Sequence, residues 1–115
     1  LSATLNSRRI PGIRAYPVNF EPSSSVFAGT RCEGVRFILT NRDLFNSAQF
    51  GFTLIEVLRQ LHPKELQLEL NRKLIGSTDS IRRLERGEAA AQVLASSTEF
   101  FHQFQEKRLK ILIYY

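Results

Sequence analysis

The sequence predicts an α/β fold, a single domain in which a small mixed sheet of about three or more strands packs with about three helices. Three observations carry this expectation. Apolar residues alternate with a period of two from Tyr16 to Phe20, and Gly34-Val35-Arg36-Phe37-Ile38-Leu39-Thr40 is dense in β-branched and aromatic residues, so both stretches read as strands. Between Ser47 and His62 the apolar spacing switches to three and four residues, the mark of a helix with one buried face. The final run Ile111-Leu112-Ile113-Tyr114-Tyr115 has the composition of a buried third strand.

Each element has a local reason. Leu1 to Arg9 places Leu1 and Leu5 one helical turn apart and stops at Ile10-Pro11-Gly12. Ile13 to Phe20 suits a strand, with Pro17 restricted to an edge or an end because it cannot donate to a ladder. Glu21 to Glu33 is a long loop rich in Ser, Pro and Gly, the kind that inside a compact domain is either functional or disordered, with Phe27 in its middle arguing for order. Asn41-Arg42-Asp43 follows the second strand as a turn. The 47–62 helix presents Ala48, Phe52, Ile55, Leu58 and Leu61 or His62 on one face, and Pro63 ends it. Leu66, Leu68 and Leu70 alternate as in a short strand. Gly76-Ser77-Thr78-Asp79 is a helix entrance, and the helix over 79–86 closes at Gly87. A longer helix over 89–107 turns Val93, Leu94, Phe101 and Phe104 inward. The crossover helix after the second strand favours parallel or mixed pairing.

Composition bounds the function. The 115 residues are 43% apolar and 23% charged, which is globular, and a compact chain of this length has a radius of gyration of roughly 13 Å. No 18-residue apolar run exists to span a bilayer, and no charged–apolar–small leader is found. The sequence opens on Leu1 and contains no methionine, which suggests a piece of a longer protein. Basic residues outnumber acidic ones 16 to 11, yet they are scattered, without the basic run or aromatic-interleaved stretch that nucleic-acid binding calls for. The single cysteine, Cys32, excludes an internal disulfide and a zinc knuckle.

Chemical motifs are sparse. Gly51-Phe52-Thr53-Leu54-Ile55-Glu56 is similar to a prepilin cleavage site, but Arg59, Gln60, His62 and Pro63 interrupt the apolar run that must follow one. Neither His62 nor His102 sits in a triad pattern, and Cys32 reads as a small packed side chain rather than a nucleophile. Glu21, Glu33 and Asp43 bracket the loop and the second strand, so a carboxylate pair for glycoside hydrolysis is available in principle. No spacing suggests a metal site, a phosphate-binding loop or a dinucleotide cofactor, so no cofactor is expected.

The ordered motifs resemble one family. Pro11-Gly12-Ile13-Arg14 leads, followed by Phe20-x-Pro22, Ser25, Ala28-Gly29, Cys32-x-Gly34-Val35 and Thr40-x-Arg42-Asp43-x-Phe45. The likeness runs on through Gly51 to His62-Pro63, Leu74-x-Gly76-x-Thr78-Asp79, Ile81-Arg82, Glu85-x-Gly87, Ala95-Ser96, Phe104 and Leu112-Ile113-Tyr114. Together they look like the C-terminal part of the NamZ-type exo-β-N-acetylmuramidases. The resemblance implies an auxiliary α/β domain over 1–115, preceded in the parent protein by a Rossmann-like domain that carries the catalytic carboxylate. It also implies a cleft between the two, a peptidoglycan-derived sugar as ligand, a bacterial envelope setting and no catalytic residue in this chain. The cleft contribution expected here is the loop, with Glu21, Pro22, Ser25, Phe27, Gly29 and Cys32, and the flanking turn, with Arg42 and Asp43. Glu21-Pro22-Ser23 stands where the family has Thr-Pro-Thr, Val26 where a basic residue is common, Asn41 where the turn has an acid, and Ser97 where a Trp is usual. A reading from a different class is a stand-alone binding module that offers its basic surface to an anionic partner.

Overall fold

The computed structural model describes residues 1–114 and is α/β, with one two-stranded sheet and helices on one side of it. In chain order it contains α1 (Ser2–Ser7), β1 (Ile13–Phe20), β2 (Cys32–Leu39), α2 (Ser47–Leu61), a 3₁₀ turn (Leu68–Asn71), α3 (Arg72–Ile75), α4 (Thr78–Glu85), α5 (Ala90–Ala95) and α6 (Thr98–Leu109).

The strands pair antiparallel as a hairpin, Ile13 opposite Leu39 and Phe20 opposite Cys32. This corrects the expected parallel or mixed pairing: no helix lies between the two strands, so no crossover separates them. The third strand is not formed either. Ile111 to Tyr114 lie outside any strand and are exposed, while Tyr115 falls beyond the described residues. The composition of that run is strand-like, but among the described residues no strand edge pairs with it.

The outer edge of β1 is occupied by a side chain. Asn6 of α1 donates its amide to the Ala15 carbonyl at 2.8 Å and accepts the Ala15 N–H at 3.0 Å, doing for one residue what a neighbouring strand would do. The alternation of an antiparallel ladder then turns the backbone of Pro17 to the same outer edge, where a missing N–H costs the hairpin nothing.

α2 is the centre of the molecule. Asn46 caps it by accepting the Gln49 N–H at 3.0 Å. On one side Val57, Phe50 and Leu54 close a core with Leu5, Ile10, Ile13 and Ala15. On the other, Phe52 and Ile55 pack against a second core of Leu68, Ile81, Leu84 and Val93. The predicted single stripe through Leu58 is therefore corrected: Leu58 is half-buried, and Val57, fully buried, is the deepest residue of the helix.

The remaining helices meet the second core. α4 begins as predicted, with Ser77 accepting the Ser80 N–H at 3.1 Å and Asp79 in the first turn. The alternating leucines do not form a strand, since only Leu68 is buried and Leu70 is exposed. The single helix expected over 89–107 is broken at Ser96-Ser97. The Ser96 hydroxyl donates to the Val93 carbonyl at 2.7 Å, the local competition by which serine weakens a helix interior. Beyond the break α6 leaves the core, so Phe101 and Phe104 face outward instead of inward. The radius of gyration is accordingly 17.0 Å, larger than a compact chain of this length shows.

Arg83 ties α4 to the turn before α5. Its guanidinium contacts the Glu88 carboxylate at 2.7 Å and also donates to Ser96. The Arg83 hydrogen bond holds the Glu88 carboxyl below its ordinary value of 4.5, against the opposing effect of burial.

Two measurements check this packing. Ile81→Ala, at a fully buried site, is expected to cost about 2–5 kcal/mol in denaturant unfolding, and Leu58→Ala clearly less. A folded-state lowering of the Glu88 pKa adds stability that is present above the unfolded value and is lost as pH falls through the folded one. Wild type is thus expected to lose more thermal stability on acidification below about pH 4.5 than Glu88→Gln does; parallel melting curves would show the pair to be inert.

Candidate functional site: the hairpin tip

The loop over 21–31 is the tip of the β1–β2 hairpin, so the strands present it on a frame fixed by their ladder. Its backbone folds on itself. The Gly29 N–H donates to the Pro22 carbonyl at 2.9 Å, Ala28 to Ser25 at 3.2 Å and Thr30 to Phe27 at 3.0 Å. Two left-handed residues make these bends: Gly29 at φ 72°, which glycine adopts freely, and Ser25 at φ 77°, where a side chain is strained. Below them the Cys32 thiol, half-buried, reaches the Thr30 carbonyl at 3.4 Å. Phe27 is 62% exposed at the outer surface, and Glu21 and Ser25 are exposed beside it.

Pro22, Ser25, Phe27, Gly29 and Cys32 thus form one unit, with Glu21 at its base. Arg42 and Asp43 do not join it. They lie past Leu39, at the opposite end of the hairpin, about 24 Å away for seven residue steps of antiparallel strand. There the turn is built on Gly12, whose carbonyl accepts the N–H groups of Thr40 at 2.8 Å and Asn41 at 3.2 Å. The Asn41 side chain accepts those of Asp43 and Leu44. A Cβ at Gly12 would collide with the Asn41 carbonyl and the backbone of Phe45, so the close approach requires glycine there. The same separation removes any pairing of Asp43 with Glu21 or Glu33 across one glycosidic bond.

The outward face of the hairpin leads up to the tip. Tyr16, Phe20 and Ile38 are about half exposed there, alongside Arg14 and Arg36. Phe20 lies over Gly34, where an added Cβ would come within 2.6 Å of the ring. Sequence reading did not single out this aromatic face; the period-two pattern from Tyr16 to Phe20 was its signal. Among the described residues no cluster of His, Cys, Asp and Glu could hold a metal ion, and no helix is long and apolar enough to cross a membrane.

The comparisons agree with one another. A solved structure described as a DUF1343 family protein from Bacteroides fragilis NCTC 9343 superposes with a TM-score of 0.68 at 16% identity, over 92% of this chain and 30% of that one, and so shares the fold. The peptidoglycan β-N-acetylmuramidase NamZ of Bacillus subtilis (strain 168) is 31% identical over 117 residues, which is 99% of this chain and 28% of the relative. The chain therefore spans under a third of the length of either protein. The family model described as exo-beta-N-acetylmuramidase NamZ, C-terminal, matches residues 1–114. Matched over that length, the chain belongs to the family of NamZ C-terminal domains.

Proposed function

We propose that this chain is the auxiliary C-terminal domain of a peptidoglycan-sugar exo-glycosidase of the bacterial envelope, and that its hairpin tip faces the substrate cleft. The catalytic carboxylate belongs to an N-terminal domain of the same protein, and the two domains are partners in one polypeptide. The observation that carries the reading is the self-bonded tip loop. It holds Phe27 and Ser25 outward on a rigid hairpin, in a chain that belongs to the NamZ family. A rigid frame with a shaped loop is the usual way a scaffold offers side chains to a ligand. Phe27 covers the C–H face of a pyranose and Ser25 bonds a hydroxyl. Pro22 and Gly29 shape the backbone and Cys32 packs beneath it. Glu21 stands at the entrance to the loop.

The 115-residue chain alone is expected to release no sugar from muropeptides. Turnover by the purified chain that Glu21→Gln or Asp43→Asn abolishes would overturn the assignment of catalysis to another domain. In the intact protein, Ser25→Ala and Phe27→Ala are each expected to lower kcat/KM about three- to ten-fold, the scale of one lost contact, at a nearly unchanged melting temperature. Wild-type kinetics in both variants, or loss of activity only through unfolding, would remove the tip from the cleft. Because Ser25 carries a left-handed φ, Ser25→Gly is expected to match or exceed wild type in thermal stability, which a melting curve reads directly.

A further inference from the structure

We propose that the groove between the start of α2 and the α5–α6 junction binds an uncharged 2-acetamido sugar of the N-acetylglucosamine type; the choice of a glycan rests on the function proposed above. The groove has a volume of about 540 Å³, within the range of small-molecule sites, and no residue of the hairpin tip lines it. Its lining is the observation that points to a sugar. Leu94 and Phe101 supply an apolar surface, and around them stand Asn46, Gln49, Thr53 and Thr98.

Every lining residue is uncharged, and the polar ones are all hydroxyls or carboxamides, in a chain where 23% of residues are charged. That chemistry fits a pyranose, which has an apolar C–H face for an aromatic ring and a rim of hydroxyls for neutral partners. It gives no counter-charge to a phosphate, or to the lactyl carboxylate by which muramic acid differs from N-acetylglucosamine.

The hydrogen bonds already made give the rim a direction. The Asn46 Oδ1 accepts the Gln49 N–H, which fixes the orientation of the carboxamide and leaves its NH₂ to donate to an acetamido carbonyl. The Thr53 hydroxyl gives its proton to the Gln49 carbonyl at 2.8 Å, so its lone pairs are left to accept from a sugar hydroxyl. Phe101 is 56% exposed at the mouth and is held there because α6 leaves the core.

The test is an NMR titration of the ¹⁵N-labelled 115-residue chain with N,N′-diacetylchitobiose, cellobiose and N-acetylmuramic acid. Saturable shifts at Gln49, Leu94, Thr98 and Phe101 are expected with diacetylchitobiose, with affinity at least three-fold weaker for the other two sugars. Phe101→Ala is expected to weaken binding at least five-fold. Thr53→Val, which keeps the shape of the side chain, is expected to weaken it about three-fold. Absence of shifts with diacetylchitobiose, equal response to cellobiose, or unchanged binding in both variants overturns the proposal. Should the intact protein cleave muramic glycosides while the groove ignores diacetylchitobiose, the groove assignment alone falls. A groove that binds diacetylchitobiose in a protein without muramidase activity stands, and the enzymatic reading falls instead.

Discussion

The Glu56 carboxylate joins three parts of the chain that lie far apart in sequence. One oxygen meets the Arg8 guanidinium at 2.9 Å and the other accepts the Ala90 N–H at 2.8 Å, the first residue of α5. α1, α2 and α5 are thereby fixed to one another at the point where α2 passes between two cores. A free N–H at a helix start needs an acceptor, and α5 has no side-chain cap of its own, so Glu56 supplies from α2 what Ala89 cannot. Both contacts are charge-assisted, which makes each stronger than a neutral bond, and Glu56 is only partly open to solvent. Three residues on, Arg59 donates to the Glu85 carbonyl at 3.0 Å and binds the end of α4 to the same helix. α2 thus works as a wall with an apolar residue toward each core and a polar seam between them.

The hairpin depends on this wall. Phe37 of β2 meets Phe50 of α2 edge-on at 5.0 Å, and Phe45 meets Phe50 at 5.7 Å, so one face of the sheet is pinned to α2. A two-stranded sheet has little stability by itself. Here it gains an apolar backing from α2, a bonded edge from Asn6 and a tight return at Gly12. All three supports act at the end near Ile13, opposite the tip. Among the described residues none of the tip belongs to either core, and the tip keeps its shape by its own backbone bonds. That division of labour lets surface residues such as Val26 and Phe27 vary without cost to the core.

Sequence reading recovered what local chemistry decides. Ser77 and Asp79 mark a helix start because a hydroxyl acceptor and an acid serve unpaired N–H groups wherever they occur. The tip loop was legible because its residues are contiguous, and the family because its short motifs come in order along nearly the whole chain. Non-local facts were hidden. A helix that serves two cores has no single apolar stripe, so the periodicity favoured Leu58 and passed over Val57. The partners of Glu56 lie 34 residues downstream, at Ala90, and near the start of the chain, at Arg8, a pairing that no spacing rule finds. Arg42 and Asp43 were grouped with the loop because they flank the same strand, but an eight-residue strand carries its two ends far apart.

The distribution of apolar surface bears on the proposed two-domain arrangement. Phe100, Phe101 and Phe104 on α6 are all more than half exposed, as are Ile111, Ile113 and Tyr114 after it. Tyr16 and Phe20 add an aromatic face on the far side of the sheet. Single exposed apolar residues are ordinary, but contiguous groups of them mark surfaces that meet something else. The chain spans 28% of the Bacillus subtilis relative and 30% of the solved structure that shares its fold, so a much larger body of polypeptide accompanies the matching region in those proteins. The two observations fit together. A domain that folds around α2, yet leaves much of a helix and a sheet face uncovered, has surface to spare for the contact that the proposed two-domain arrangement calls for. In the proposed arrangement the tip loop, with the charged Glu21 at its base, and the uncharged α2–α5–α6 groove are the two surfaces offered to a glycan.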